Sequence, residues 1–307
     1  MPTSIAAITE NVRNPVDIAL KPERYGRYLG LSKMGFHEIA YVEWGPKDAE
    51  SVVLCVHGLT RQGRDFDYLA VELASRGRRV ICPDLVGRGR SGRLRDPADY
   101  NLLQYCADMN ALIAHTGATS IDWVGTSLGG LIGMVLAGLP GHPIRRLVIN
   151  DIGPTVSPEG LARIGRYMAE MPEHFATMSD AERYLRNVLA PFGALEDEHW
   201  QHLTRHSVRW NDADQRYDNL CDPMIAQAFR KPGYIGINLW EYWDRIDAPI
   251  LVVRGVKSDL LQAYAAREMA RHNPRTELYD VPECGHAPTL MPRQQVEAVV
   301  AFLSLQP

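Results

Sequence analysis

Apolar residues fall along the chain in short runs closed by turn residues, and these runs alternate with longer stretches of helical period. That alternation predicts parallel strands joined by crossover helices, an α/β fold. Two opening segments, Tyr25 to Leu31 and Phe36 to Trp44, alternate loosely between apolar and polar residues, as strands at a partly exposed edge do. Val52–Val56, Arg79–Pro83, Ser120–Val124 and Arg146–Asn150 read as buried strands. Asp65–Arg76, stopped by Gly77, Asn101–His115, stopped by Gly117, and Leu128–Leu139, stopped by Pro140, read as the helices that link them. The strand rhythm returns at Pro249–Arg254 and Thr276–Val281, and an amphipathic stretch, Gln294–Leu303, closes the pattern.

Between Pro154 and about Asp247 that rhythm is interrupted. Helix starts take its place, among them Ser157-Pro158-Glu159 and the capping-box sequence Ser179-Asp180-Ala181-Glu182. The pattern predicts a core built from residues 1–153 and 248–307 and a helical cap from 154–247. The cap holds Trp200, Trp210, Trp240 and Trp243, four of the six tryptophans. Trp210 and Trp240 are candidates for lining a substrate pocket, the alternative being that these rings pack a small core of their own.

Composition narrows the function classes. The 307 residues carry 37 acidic and 33 basic side chains, a formal charge of −4, with no long Lys/Arg block. Such a chain has no general electrostatic attraction for a polyanion, so no nucleic-acid partner is expected. Cys55, Cys82, Cys106, Cys221 and Cys284 are odd in number and lack the spacing of a zinc knuckle or redox motif, which fits a reducing compartment. The first thirty residues lack a basic segment leading into an apolar one, and no window reaches the ~18 consecutive apolar residues of a membrane span. The chain is therefore expected to be cytoplasmic and to act on a small molecule, with its oligomeric state left open.

Gly125-Thr126-Ser127-Leu128-Gly129 directly follows an apolar strand and directly precedes a helix. G-x-S-x-G arises often by chance, but in this strand–turn–helix setting it reads as a nucleophile elbow. The turn is so tight that side chains at 125 and 129 would collide with backbone, which glycine avoids. Ser127 would stand proud of the strand end, with the Leu128 N–H directed at a reacting carbonyl oxygen. A serine hydroxyl needs a base, and imidazole, with pKa ~6.5, is matched to take and return the proton. Of ten histidines, His286 sits in Glu283-Cys284-Gly285-His286-Ala287-Pro288, on a loop leaving the last strand. A carboxylate at another strand end must orient the imidazole. Asp259, following Leu251–Gly255, and Asp151, ending Arg146–Asn150, both qualify. His57-Gly58-Leu59 ends the first central strand, which makes the Leu59 N–H the second candidate oxyanion donor and His57 a brace for its loop.

In this order the pieces resemble the α/β-hydrolase fold family over most of the chain, including its Asp-x-x-Gly-x-Gly-x-Ser loop at Asp84-Leu85-Val86-Gly87-Arg88-Gly89-Arg90-Ser91. The nearest likeness is to bacterial members with a helical lid between strands six and seven: esterases, lactonases, cofactor-free haloperoxidase-like enzymes and meta-cleavage-product hydrolases. The resemblance implies a mainly parallel eight-stranded sheet, a serine triad in the chain order Ser, acid, His, and no cofactor. It favours Asp259 over Asp151 as the acid. Haloalkane dehalogenases and epoxide hydrolases place aspartate where this chain has Ser127, so those activities are not expected. The expected reaction is hydrolysis of a small carboxylic ester, thioester or lactone through an acyl-enzyme. The alternatives are hydrolysis of a carbon–carbon bond in a meta-cleavage-type diketone and a slow-turnover ligand receptor on the same scaffold.

Three further features have simpler readings. Gly87-Arg88-Gly89-Arg90-Ser91-Gly92 satisfies the dinucleotide fingerprint G-x-G-x-x-G, but Arg93 to Pro97 separate it from any helix, so nucleotide binding is not expected. His199, His202 and His206 share a helix face, yet the outer pair would lie ~10 Å apart along the axis, too far to share one ion. That face reads as polar lid surface, and no metal is expected. Arg61, two residues beyond Leu59, either clamps a substrate carboxylate or pairs with Asp65 or Asp67.

Overall fold

The computed structural model describes residues 20–156, 158–228 and 236–305. Eight strands form one sheet: β1 (Arg24–Ser32), β2 (Gly35–Trp44), β3 (Val52–Val56), β4 (Arg79–Pro83), β5 (Ile121–Thr126), β6 (Ile144–Asn150), β7 (Ile250–Gly255) and β8 (Thr276–Val281). Their order across the sheet is β1-β2-β4-β3-β5-β6-β7-β8. β1 pairs antiparallel with β2, and β2 with β4, while every pairing from β4 to β8 is parallel. The expected strands are all present, most with ends shifted by a residue or two, the scatter usual for element ends.

β3 shows why the central runs are apolar without alternation. Val52, Leu54 and Val56 face one core cluster and Val53 and Cys55 the other, because successive side chains leave opposite faces of a sheet covered on both sides. Helices α1 (Asp67–Ser75), α2 (Leu102–Thr116), α3 (Leu128–Ala137), α9 (Ala263–His272) and α10 (Arg293–Ser304) flank the sheet. Asn101 caps α2 by accepting a hydrogen bond from the Gln104 N–H at 3.1 Å, and Gly117 ends it in the left-handed region at φ 72°. The first α-helix after Gly92 begins at Leu102, so the glycine loop has the wrong context for a dinucleotide turn. Among the described residues, no helix is long and apolar enough to cross a membrane.

Between β6 and β7 the chain forms α4 (Pro158–Ala169), α5 (Met178–Val188), α6 (Asp197–Ser207), α7 (Met224–Ala228) and α8 (Trp240–Trp243). Ser157, expected to start α4, lies outside the described residues. The cap of α5 is Thr177, not Ser179: its Oγ1 accepts from the Asp180 N–H at 3.1 Å, which places Ser179 inside the helix. The segment is also less purely helical than expected. His174–Phe175, Arg216–Asn219 and Val208–Asn211 form a small antiparallel sheet, and Thr155–Val156 pairs with Ile237–Asn238.

Candidate active site

Parallel strands present their carboxyl ends along one edge of the sheet, and loops leaving that edge converge there. Ser127 leaves β5, Asp151 leaves β6, His286 follows β8, and His57-Gly58-Leu59 leaves β3. Ser127 stands in the elbow at φ 51°, ψ −111°, sparsely populated backbone for a residue bearing a side chain. The flanking glycines are obligatory: a Cβ on Gly125 would lie 2.2 Å from the Gly129 carbonyl oxygen, and one on Gly129 2.0 Å from that of Val56.

The Ser127 hydroxyl donates to His286 Nε2 at 3.0 Å, and His286 Nδ1 donates to Asp151 Oδ2 at 2.8 Å. The carboxylate against the imidazole is therefore that of Asp151, a correction to the preference for Asp259. Asp151 is fully buried at φ 58°, where its Oδ1 accepts from the Gly255 N–H at 2.8 Å and its Oδ2 from the Ser258 hydroxyl at 2.6 Å. The loop after β7 thus supplies donors to the Asp151 carboxylate. Asn150, one residue earlier, donates from Nδ2 to Thr126 Oγ1 at 3.0 Å and to the Pro288 carbonyl at 2.7 Å, joining the ends of β5 and β6 to the histidine loop. Sequence reasoning missed Ser258 and Asn150, since both act through contacts more than twenty residues distant.

Gly58 runs beside the elbow, where a Cβ built on it would lie 3.6 Å from Ser127 Cβ. His57 braces this loop: Nδ1 donates to the Gly58 carbonyl at 2.7 Å, and Nε2 accepts from the Leu85 N–H at 2.8 Å. Burial pushes its pKa down to about 3, so the ring stays neutral. Arg88 supplies a second brace, donating from Nε to the Leu59 carbonyl at 2.8 Å and from Nη1 to the Tyr105 hydroxyl at 2.8 Å. In the sequence Arg88 is only a variable position of the glycine loop. Leu128 directly follows the serine, and both it and Leu59 pack against the core cluster that holds Val52, Leu54 and Val56.

Arg61 takes the second of its two expected roles. Nε and Nη2 fork onto Asp65 at 2.7 and 2.8 Å, and Nη1 reaches the Ser207 hydroxyl of α6 at 3.1 Å. Trp210 and Trp240 line neither of the two cavities described below, a correction to their candidacy there. Trp210 sits 41% exposed on a hairpin against Tyr217, and Trp240 lies against His272 with ring centroids 4.5 Å apart. One cavity beside the elbow is walled by His57, Gly58, Thr126, Phe192, Ala287 and Pro288. A neighbouring one, under the inserted helices, is walled by Thr60, Arg61, Tyr167, Phe175, Tyr184 and Cys221. Aromatic lining is thus supplied by tyrosine and phenylalanine, which carry no distinguishing pattern in the sequence.

The profile of the α/β-hydrolase fold matches residues 51–290. The chain belongs to the α/β-hydrolase family. It is 40% identical over 291 residues to the 3-hydroxybutyrate-oligomer hydrolase of Cupriavidus necator, covering 92% of this chain and 98% of that protein. It is also 28% identical over 265 residues to an sn-1-specific diacylglycerol lipase of Mus musculus, covering 82% and 80%. Among solved structures, an α/β hydrolase from Novosphingobium aromaticivorans superimposes with a TM-score of 0.79 at 35% identity, over 91% of this chain and 98% of that one. The chain is accordingly a hydrolase of the α/β fold whose relatives include ester hydrolases.

Proposed function

We propose that the chain is a serine esterase acting on short esters of hydroxy acids, with Ser127, His286 and Asp151 as its triad. The observation that carries the reading is the continuous hydrogen-bond chain from the Ser127 hydroxyl through both ring nitrogens of His286 to a buried carboxylate. Ser127 Oγ attacks the ester carbonyl while His286 Nε2 takes its proton. Asp151 holds the tautomer with Nδ1 protonated and stabilises the imidazolium. The Leu59 and Leu128 N–H groups receive the tetrahedral oxyanion, and His286 returns the proton to the leaving alcohol. Water then repeats the cycle on the acyl-enzyme.

The Cupriavidus relative, matched over nearly the whole of both chains, supports hydroxybutyrate oligomers as the substrate class. Segment 154–247 serves as the lid over this site, and the five free, buried cysteines support a cytoplasmic location. The test is hydrolysis of 3-hydroxybutyrate dimer and trimer beside p-nitrophenyl acetate and a ring-cleavage dienoate, with fluorophosphonate labelling of wild type and Ser127→Ala. We expect turnover of the dimer and trimer and labelling that requires Ser127. Preference for the dienoate would overturn the ester reading, and label on the S127A protein would overturn the triad.

A further inference from the structure

Helix α6 carries His202 and His206 one turn apart, so both imidazoles leave the same face, with ring centroids 4.6 Å apart. Asp67, the first residue of α1, meets them from the flank of the main sheet. One ligand atom from each of the three residues lies within 4.8 Å of the others. His199 is no part of this group: its ring packs edge-on against Tyr68 at 4.8 Å. The three-histidine face expected from sequence therefore resolves into an i, i+4 pair joined by a carboxylate from a distant element.

We propose that Asp67, His202 and His206 form a binding site for a divalent transition-metal ion of the zinc class that cross-links α6 of the inserted segment to α1. Two imidazoles and one carboxylate match zinc-type ions rather than calcium or magnesium, which prefer oxygen ligands alone. At metal–ligand distances of about 2.0–2.2 Å, tetrahedral ligand atoms sit roughly 3.4 Å apart. His202 Nε2 already stands 3.4 Å from Asp67 Oδ2, the oxygen that also accepts from Arg64 Nε at 2.6 Å. His206 has to close on the other two, and it is the one of the three that is not fully buried.

An independent observation points to a ligand here. Asp67 is fully buried, and its Oδ1 has no hydrogen-bond partner among the described residues. Such an orphan oxygen is costly unless a cation or donor satisfies it. His202 Nε2 now donates to the Arg64 carbonyl at 2.9 Å. On metal binding that proton moves to Nδ1 and the Nε2 lone pair turns to the ion. Arg61 is paired with Asp65, while Arg64 pairs with Asp67 Oδ2, so an ion would share that carboxylate with the Arg64 guanidinium and bind through the unpartnered Oδ1.

The experiment uses full-length protein stripped with a chelator, then dialysed against Zn²⁺ or Co²⁺ and compared with His206→Gln, Asp67→Asn and, as a control, His142→Gln. Wild type should take up one zinc per chain, and its cobalt form should show the visible bands of a four-coordinate ion. H206Q should weaken uptake at least about ten-fold, D67N should do the same, and H142Q should change nothing, with circular dichroism checking that each variant is folded. No stoichiometric uptake by wild type would overturn the site. Uptake by H206Q and D67N equal to wild type would also overturn it, by placing the metal elsewhere. Because the readout is metal content and spectrum, failure here leaves the esterase reading intact, and failure of esterase activity leaves this site untouched.

Discussion

Asp151 accepts three hydrogen bonds within a fully buried site: from His286 Nδ1, the Gly255 N–H and the Ser258 hydroxyl. That count matters for its proposed role, because a carboxylate held in place by several donors keeps one orientation and one tautomer of the ring. Asp151→Asn should lower kcat by roughly 10⁴-fold, whereas Asp259→Asn should retain fluorophosphonate labelling of Ser127; equal losses in the two variants would refute the assignment. Ser127 and His286 were legible because local context marks them, an elbow in one case and a loop after the last strand in the other. The choice between Asp151 and Asp259 was not legible, since it turns on which of two neighbouring strand-end loops curls toward the ring. His57 carries a second prediction. Its Nε2 accepts the Leu85 N–H, so protonation would set two N–H groups against each other. Its folded pKa of about 3 lies below the unfolded value near 6.5. The unfolded chain therefore binds the extra proton between those values. The contribution of His57 is complete above pH 6.5 and declines by about 1.4 kcal/mol per unit as pH falls below it. Chemical denaturation of wild type and His57→Asn across pH 4–8 should show the wild-type slope steeper by this amount, because His202 and His206, whose pKa values are also lowered, contribute to both proteins.

At the scale of elements, the elbow is a contact between backbones. β5, α3 and the end of β3 approach so closely that Gly129→Ala would drive a Cβ to 2.0 Å from the Val56 carbonyl. Something must move, and the movable partner is the loop that carries Leu59. The variant should lose stability by a few kcal/mol, the range of severe overpacking or strain. It should also lose activity at temperatures where it remains folded, as measured by thermal melts and ester hydrolysis together. The long elements declared themselves in the sequence because apolar period and glycine stops agree over five or more residues. The inserted segment did so less well. Its strands are two to four residues long, too short for alternation to register, and their pairing partners lie up to about eighty residues away. Trp210 is a case in point: it stands on a hairpin invisible to periodicity, exposed against Tyr217.

At the scale of the molecule, the inserted segment is fastened to the core at points that also shape the site. Gly89 N–H donates to the Leu220 carbonyl and Asp222 N–H to the Gly87 carbonyl, both at 2.8 Å, clamping the glycine loop that carries Arg88 and through it the Leu59 carbonyl. On the other side, Gly285 N–H donates to the Pro191 carbonyl at 2.6 Å, holding the histidine loop to the turn after α5. Asp222 is the best single probe of this coupling. It is buried, and its carboxylate accepts from the Tyr100 hydroxyl at 2.6 Å and from the Met224 N–H at 3.0 Å. Asp222→Ala would leave that hydroxyl without its acceptor, at a cost of about 1–3 kcal/mol. Because the lost bonds lie at the seam and not in the sheet, the cost should appear as local opening before global unfolding. Hydrogen–deuterium exchange should then speed up in residues 218–228 and in the loop 85–92, while β3, β5 and β6 keep wild-type protection. Uniform acceleration across the sheet would mean instead that insertion and core unfold as one unit, and that the seam has no independent freedom with which to admit a substrate.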